Sequence, residues 1–256
     1  MDMQTSTWML ALQLAVVLGL LFWMDRWLHR HLQIVMFLLT NDREVGLWLY
    51  AIVLLPGVIL HEVSHALAAR LLGVKIGKIH LFPERRKGRI QLGFVPVEET
   101  DFVRASLIGV APFVVGSITI VALGHWVFGT TEVLGALGQS AWMQSLRALI
   151  DAFQAPDAWV WAYLVFAVAN TMLPSRSDMH AWPFFVFALI ALIGLVMLIG
   201  GGSLIVEGLG PVLTLAAQWF VLLGASAILI DLPFFGLIFL SQRVLWGLKG
   251  GQLEFE

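Results

Sequence analysis

Residues 45–72 read VGLWLYAIVLLPGVILHEVSHALAARLL. This stretch decides the fold class. A membrane-spanning helix needs about 20 predominantly apolar residues. Here an apolar run from Val45 is interrupted by Pro56 and then by His61, Glu62, Ser64 and His65. An ionisable side chain at membrane depth costs about 2.5 kcal/mol or more unless it is paired. Three of them within one turn of an apolar helix mark a functional position.

The rest of the chain has the same character. Its composition is 59% hydrophobic and 12% charged, and its mean hydropathy is +0.88. A soluble domain carries about 25% charged residues. Apolar runs predict spans at about Trp8–Met24, Val45–Leu72, Val103–Phe128, Ala158–Leu173, Pro183–Ile199 and Pro211–Ile230, with Phe234–Leu248 as a short seventh element or an interfacial helix. The expected fold is therefore an all-α polytopic membrane protein of about six transmembrane helices. It forms one membrane-embedded domain over residues 1–256, with a core at about 45–200. The start, MDMQTSTW, lacks a basic n-region and runs into a retained span instead of a cleavable signal. A net charge of −2 gives no reason to expect a nucleic-acid partner, and the absence of cysteine removes thiolate ligands. The expected partners are the lipid bilayer and a membrane-protein substrate.

Between the second and third runs, Ile90, Leu92 and Phe94 alternate with Gln91 and Gly93 on one side of the turn-like Pro83–Gly88. That period of two predicts a short β-hairpin at the membrane surface. The loop is basic. If it is cytoplasmic, 11 of the 15 Lys and Arg fall on that side, Arg243 and Lys249 among them. The positive-inside rule then places both termini in the cytoplasm. The expected location is the cytoplasmic (inner) membrane of a prokaryote. Trp8, Trp23, Trp27, Trp48, Trp126, Trp159, Trp161 and Trp182 lie near expected span ends, as an interfacial belt requires.

HEVSH at 61–65 has the form H-E-x-x-H. On a helix His61 and His65 share a face, so both imidazoles reach one Zn²⁺. Glu62, beside the first ligand, is placed to act as a general base. The expected cofactor is one Zn²⁺ per chain. The bland alternative is a hydrogen-bonded cluster between helices with no metal.

The segment Gly57–Lys75 resembles the site-2 proteases, a family of intramembrane zinc metalloproteases. The basic loop after the motif and Gly109-Val-Ala-Pro112, which looks like the family's Ala-Gly-Pro stretch, extend the resemblance. So does Asn170-Thr-Met-Leu-Pro-Ser-Arg-Ser-Asp178, which resembles the family's second motif. The resemblance implies hydrolysis of peptide bonds in or near the transmembrane segment of a single-span substrate. It also implies Asp178 as third zinc ligand and Asn170 as a substrate-binding residue. The second motif departs from pattern: Pro174 is four residues after Asn170, not three, and Met179 replaces Gly. Asp178 is the only carboxylate between Asp157 and Glu207.

His180, two residues on, is the alternative metal ligand. Asn170 could equally be an ordinary buried polar residue. His80 reads as a strand residue, His125 as the far end of a span, and Asp231 as a boundary residue. Pro56 either kinks its helix or opens it to water. The small residues at 109–118 suit close helix packing. Two other classes compete. A non-proteolytic metal-binding adaptor or pseudoprotease is favoured by the altered second motif and disfavoured by Glu62. A transporter would call for internal repeats, and none is visible.

Overall fold

The computed structural model describes residues 3–86, 89–130, 147, 150–151, 153–154, 156–173, 178, 182–198, 200 and 202–249. The protein is a membrane-embedded helical bundle. Among the described residues its main helices are α1 (Met3–Thr40), α2 (Arg43–Leu71), α3 (Phe102–Phe128), α4 (Ala158–Ala169), α5 (Trp182–Leu198) and α6 (Gly202–Leu248). Four are long and apolar enough to cross a membrane: the stretches Trp8–Thr40, Arg43–Leu71, Phe102–Phe128 and Glu207–Leu248. The helices α4 and α5 are shorter.

Two expected boundaries do not exist. The polar stretch after Met24 was expected to end the first span, yet α1 runs through it unbroken for 38 residues. Its polar groups are accommodated within the helix. Asp25 Oδ1 lies 3.3 Å from His29 Nε2, one turn on, while Arg26 and Arg30 fall on the exposed face. The opposite face, Met24, Leu28, Leu32, Val35 and Leu38, is buried at helical spacing. The expected sixth span and the element at Phe234–Leu248 are likewise one 47-residue helix with Pro211 and Pro233 inside it. A proline removes one helical hydrogen bond and need not stop a helix whose neighbours hold it.

The turn between α1 and α2 is built by two residues. Asn41 adopts a left-handed backbone, φ 54°. Asp42 caps α2, its carboxylate accepting from the main-chain N–H of Glu44 at 2.7 Å and of Val45 at 3.1 Å. Asp101 caps α3 in the same way, through Val103 and Arg104. The Arg104 N–H, first among its partners, holds that carboxyl below the usual carboxylate range.

Helix α6 packs parallel to α1 in constant register. Gly224 meets Val17 and Leu21, Phe235 lies on Trp27 with ring centroids 4.0 Å apart, and Lys249 reaches Leu38 O and Asn41 Oδ1. The end of α6 therefore sits at the Asn41 turn, and the start of α1 is at the other end of the bundle. This corrects the expectation that the two chain ends share a side. It also moves Arg243 and Lys249 away from the loop with which they were counted. Helix α4 fills the centre: Ala158, Ala162 and Val165–Ala169 are buried among α2, α3 and α6.

Residues 75–98 fold back on themselves beside the C-terminal end of α2. Glu98 N–H donates to Lys75 O and Gly77 N–H to Pro96 O, while His80 and Phe94 exchange two main-chain bonds of 2.9 Å. Farther out, β1 (Glu84–Arg86) pairs antiparallel with β2 (Arg89–Gln91), Glu84 opposite Gln91.

Candidate metal centre

Helix geometry sets two of the candidate ligands. His61 and His65 project from the same face of α2, in its C-terminal third, with their Nε2 atoms 3.2 Å apart. Asp178 completes the group: Oδ1 is 3.2 Å from His65 Nε2 and Oδ2 is 3.6 Å from His61 Nε2. One ligand atom from each residue lies within 4.8 Å of the other two.

The chemistry of this donor set fits a cation. His65 Nδ1 donates to the main-chain oxygen of Ile108 at 2.8 Å. That bond commits the ring proton to Nδ1 and leaves a lone pair on Nε2. The Asp178 carboxylate brings only lone pairs. With both imidazoles neutral, at most one proton, on His61 Nε2, sits among four electron-rich atoms, and His61 Nδ1 is then a buried acceptor with no partner among the described residues. A divalent ion bound by both Nε2 atoms and the carboxylate resolves the crowding of lone pairs, with the His61 ring proton then on Nδ1. Three protein ligands would leave one position open, the pattern of catalytic and not structural zinc sites.

Glycines let the backbones converge on this point. A methyl on Gly109 of α3 would collide with the main-chain oxygen of Asp178, so no other residue type lets the Asp178 segment lie so close to α3. A methyl on Gly57, four residues before His61, would collide with Ala167 O and Thr171 Oγ1 of the α4 end. One on Gly116 would lie 2.7 Å from Met172 Cβ. The expectation that the small residues of α3 serve close packing is realised at Gly109 and Gly116.

Glu62 is buried, 6% exposed, and faces the same space. The strand segment after α2 presses on it: a methyl on Gly93 would lie 3.1 Å from Glu62 Cγ and 2.7 Å from Val58 Cγ1. His61, Glu62, His65 and Asp178 line a cavity of about 870 Å³ whose wall includes residues 92–100. Asn170 and His29 line it too. Ser64 is not part of it, since its hydroxyl donates back to Leu60 O at 2.6 Å.

The structure thus brings together Glu62, His61, His65, Asp178 and Asn170. His180, Pro174 and Met179 lie outside the described residues. His80 stacks on Phe94, 4.3 Å between centroids, exchanges main-chain hydrogen bonds with it, and is not among the residues lining the cavity. Asp231 corrects an expectation: it is not a boundary residue but is 5% exposed inside the bundle, against Asn170. His29 was not foreseen. Its only sequence signal is the Asp25/His29 pair four apart in an apolar helix, a spacing that puts both on one face.

These features define a class: a helical membrane protein with a two-histidine, one-carboxylate cluster and a buried glutamate at an internal cavity. Comparison with protein-family models, curated proteins and solved structures finds no match for the chain.

Proposed function

We propose that the chain is an intramembrane zinc endopeptidase of the site-2 protease kind, acting on peptide bonds in or near the span of a membrane-protein substrate. The observation that carries this reading is the convergence of His61 Nε2, His65 Nε2 and Asp178 on one point of a cavity that also holds Glu62. Zinc held by these three residues would supply Lewis-acid activation of water and of a scissile carbonyl. Glu62 accepts the proton of the attacking water. As the C–N bond breaks, Glu62 returns that proton to the amine nitrogen, so the carboxylate is regenerated. The bond from His65 Nδ1 to Ile108 O keeps that imidazole in its ligating tautomer throughout.

The end of the bundle that carries residues 72–101 is placed in the cytoplasm by its lysines and arginines: Lys75, Lys78, Arg85, Arg86, Lys87 and Arg89. The start of α1 is then cytoplasmic, and Lys249 lies on the opposite side. Shallow entry from the cytoplasm brings water to His61, nine residues or roughly 13 Å from Arg70 along α2. The paired segments at 75–98 lie at that surface, in the inner membrane of a prokaryote.

The test is Glu62→Gln in the purified protein with a single-span substrate. Stoichiometric zinc should remain while turnover falls by about 10²–10⁴. Equal turnover by the variant and the unmodified protein would end the peptidase reading.

A further inference from the structure

Asp231 takes no part in the proposed chemistry, yet it is a buried carboxylic acid inside an apolar helix. An ionisable group at such a place needs a partner. The partner is Asn170, whose Nδ2 lies 3.3 Å from each Asp231 oxygen. The other amide proton goes to Phe166 O, at 2.9 Å. A helix carbonyl can only accept, so it is the NH₂ end of the carboxamide that faces Phe166. Both protons are then committed on the protein side, one to Phe166 and one to Asp231. The carboxamide oxygen is left without a partner among the described residues. Asn170 lines the cavity with Glu62 and Asp178, whereas Asp231 stands behind it.

The main chain of Asn170 is held as well. Tyr50 O–H donates to His29 Nδ1 at 2.6 Å, which leaves the ring proton on Nε2. From there it donates to Asn170 O at 2.9 Å, with Asp25 Oδ1 at 3.3 Å. Two other helices thus grip the C-terminal end of α4: α1, backed by Tyr50 of α2, through the backbone, and α6 through the side chain. So much hydrogen bonding at one residue exceeds what a helix end requires, and among the described residues it leaves the carboxamide oxygen of a cavity-lining residue as an unused acceptor.

We propose that Asp231 is a positioning residue. With His29, it turns the Asn170 carboxamide oxygen into the cavity, where that oxygen accepts a hydrogen bond from a main-chain N–H of an extended substrate segment. The proposal rests on the peptidase reading above. It also specifies the substrate chemistry. In a helix the main-chain N–H groups are used by carbonyls four residues back, so only an unwound segment can offer one. A substrate residue lacking an N–H, such as proline or an N-methyl amino acid, is rejected at that one subsite.

The experiment uses the full chain, zinc-loaded in detergent, and a synthetic single-span peptide N-methylated at one residue at a time around the scissile bond. For the unmodified protein, methylation at one position should lower kcat/KM about tenfold, the scale of one lost hydrogen bond to a site that stays unpaired. Asp231→Leu should lower kcat/KM on the parent peptide by a similar factor, with zinc content unchanged. It should also cut the methylation penalty at that position to below twofold. Asp231→Asn keeps an acceptor oxygen and should preserve the discrimination. If Asp231→Leu does not fold, Asn170→Ala and Asp231→Asn carry the comparison, the first losing the penalty and the second keeping it. A full penalty in Asp231→Leu or in Asn170→Ala, with cleavage still dependent on Glu62, would overturn this inference alone. Cleavage independent of Glu62 would overturn the peptidase reading and this inference with it.

Discussion

Replacing Gly109 by alanine tests the metal centre without touching a ligand. In an isolated helix this change is favourable, by about 1 kcal/mol of propensity. In this protein the added methyl collides with the main-chain oxygen of Asp178. Apolar contacts settle at about 4 Å, so the Asp178 segment must withdraw from α3 by roughly 1 Å or more. A metal site tolerates ligand displacements of only about 0.2 Å. Asp178 then cannot hold the ion together with His61 and His65. Loss of a supporting contact alone weakens a metal site about 10–100-fold, so Gly109→Ala should weaken zinc binding at least 100-fold. The assay is competitive zinc titration of the purified protein, paired with thermal unfolding in zinc and in chelator. The expected signature is loss of zinc-dependent stabilisation in a protein that is still folded. Gly236→Ala is the control, because nothing lies within 4 Å of a methyl there. If Gly109→Ala binds zinc as tightly as the unmodified protein, Asp178 is not positioned by α3, and its place among the ligands fails.

The two candidate third ligands separate cleanly. Asp178→Ala should lose stoichiometric zinc and activity, and His180→Ala should keep both; the reverse result, read by metal analysis and cleavage, transfers the assignment to His180. Orientation is tested by single cysteines. One at Lys75 should react with impermeant reagents only from the cytoplasmic side and one at Asn41 only from the opposite side, and labelling of both from one side would refute the placement of α2.

The legible parts of this protein are those governed by local rules. H-E-x-x-H puts two imidazoles on one face because a helix repeats every 3.6 residues, whatever surrounds it. The caps at Asp42 and Asp101 were within reach of the same reasoning, since a carboxylate just before an apolar helix satisfies otherwise orphaned N–H groups. Asp178 stood out because its stretch of chain offers no other carboxylate. Polarity and proline do not mark the helix ends in α1 or α6. Around Asp25 and Arg30 the chain stays helical because its polar groups pair within the helix or face outward, and around Asp231 and Pro233 because a tertiary neighbour accepts what local composition would expel. Asp25 meets His29, and Asp231 meets Asn170 across more than sixty residues of sequence.

The sequence by itself determined that the chain belongs in a membrane, that His61 and His65 share a helix face, and that Glu62 stands beside them. Each follows from hydropathy or from a spacing of four, and neither depends on distant residues. Only the tertiary structure decided that Asp178 meets both histidines, that Gly109 and Gly57 permit the approach, and that α6 ends at the Asn41 turn. It alone assigned Asp231 to Asn170. These are contacts between segments far apart in the chain. They are set by how closely backbones can pack and by which buried polar groups can satisfy one another, and no local pattern carries either.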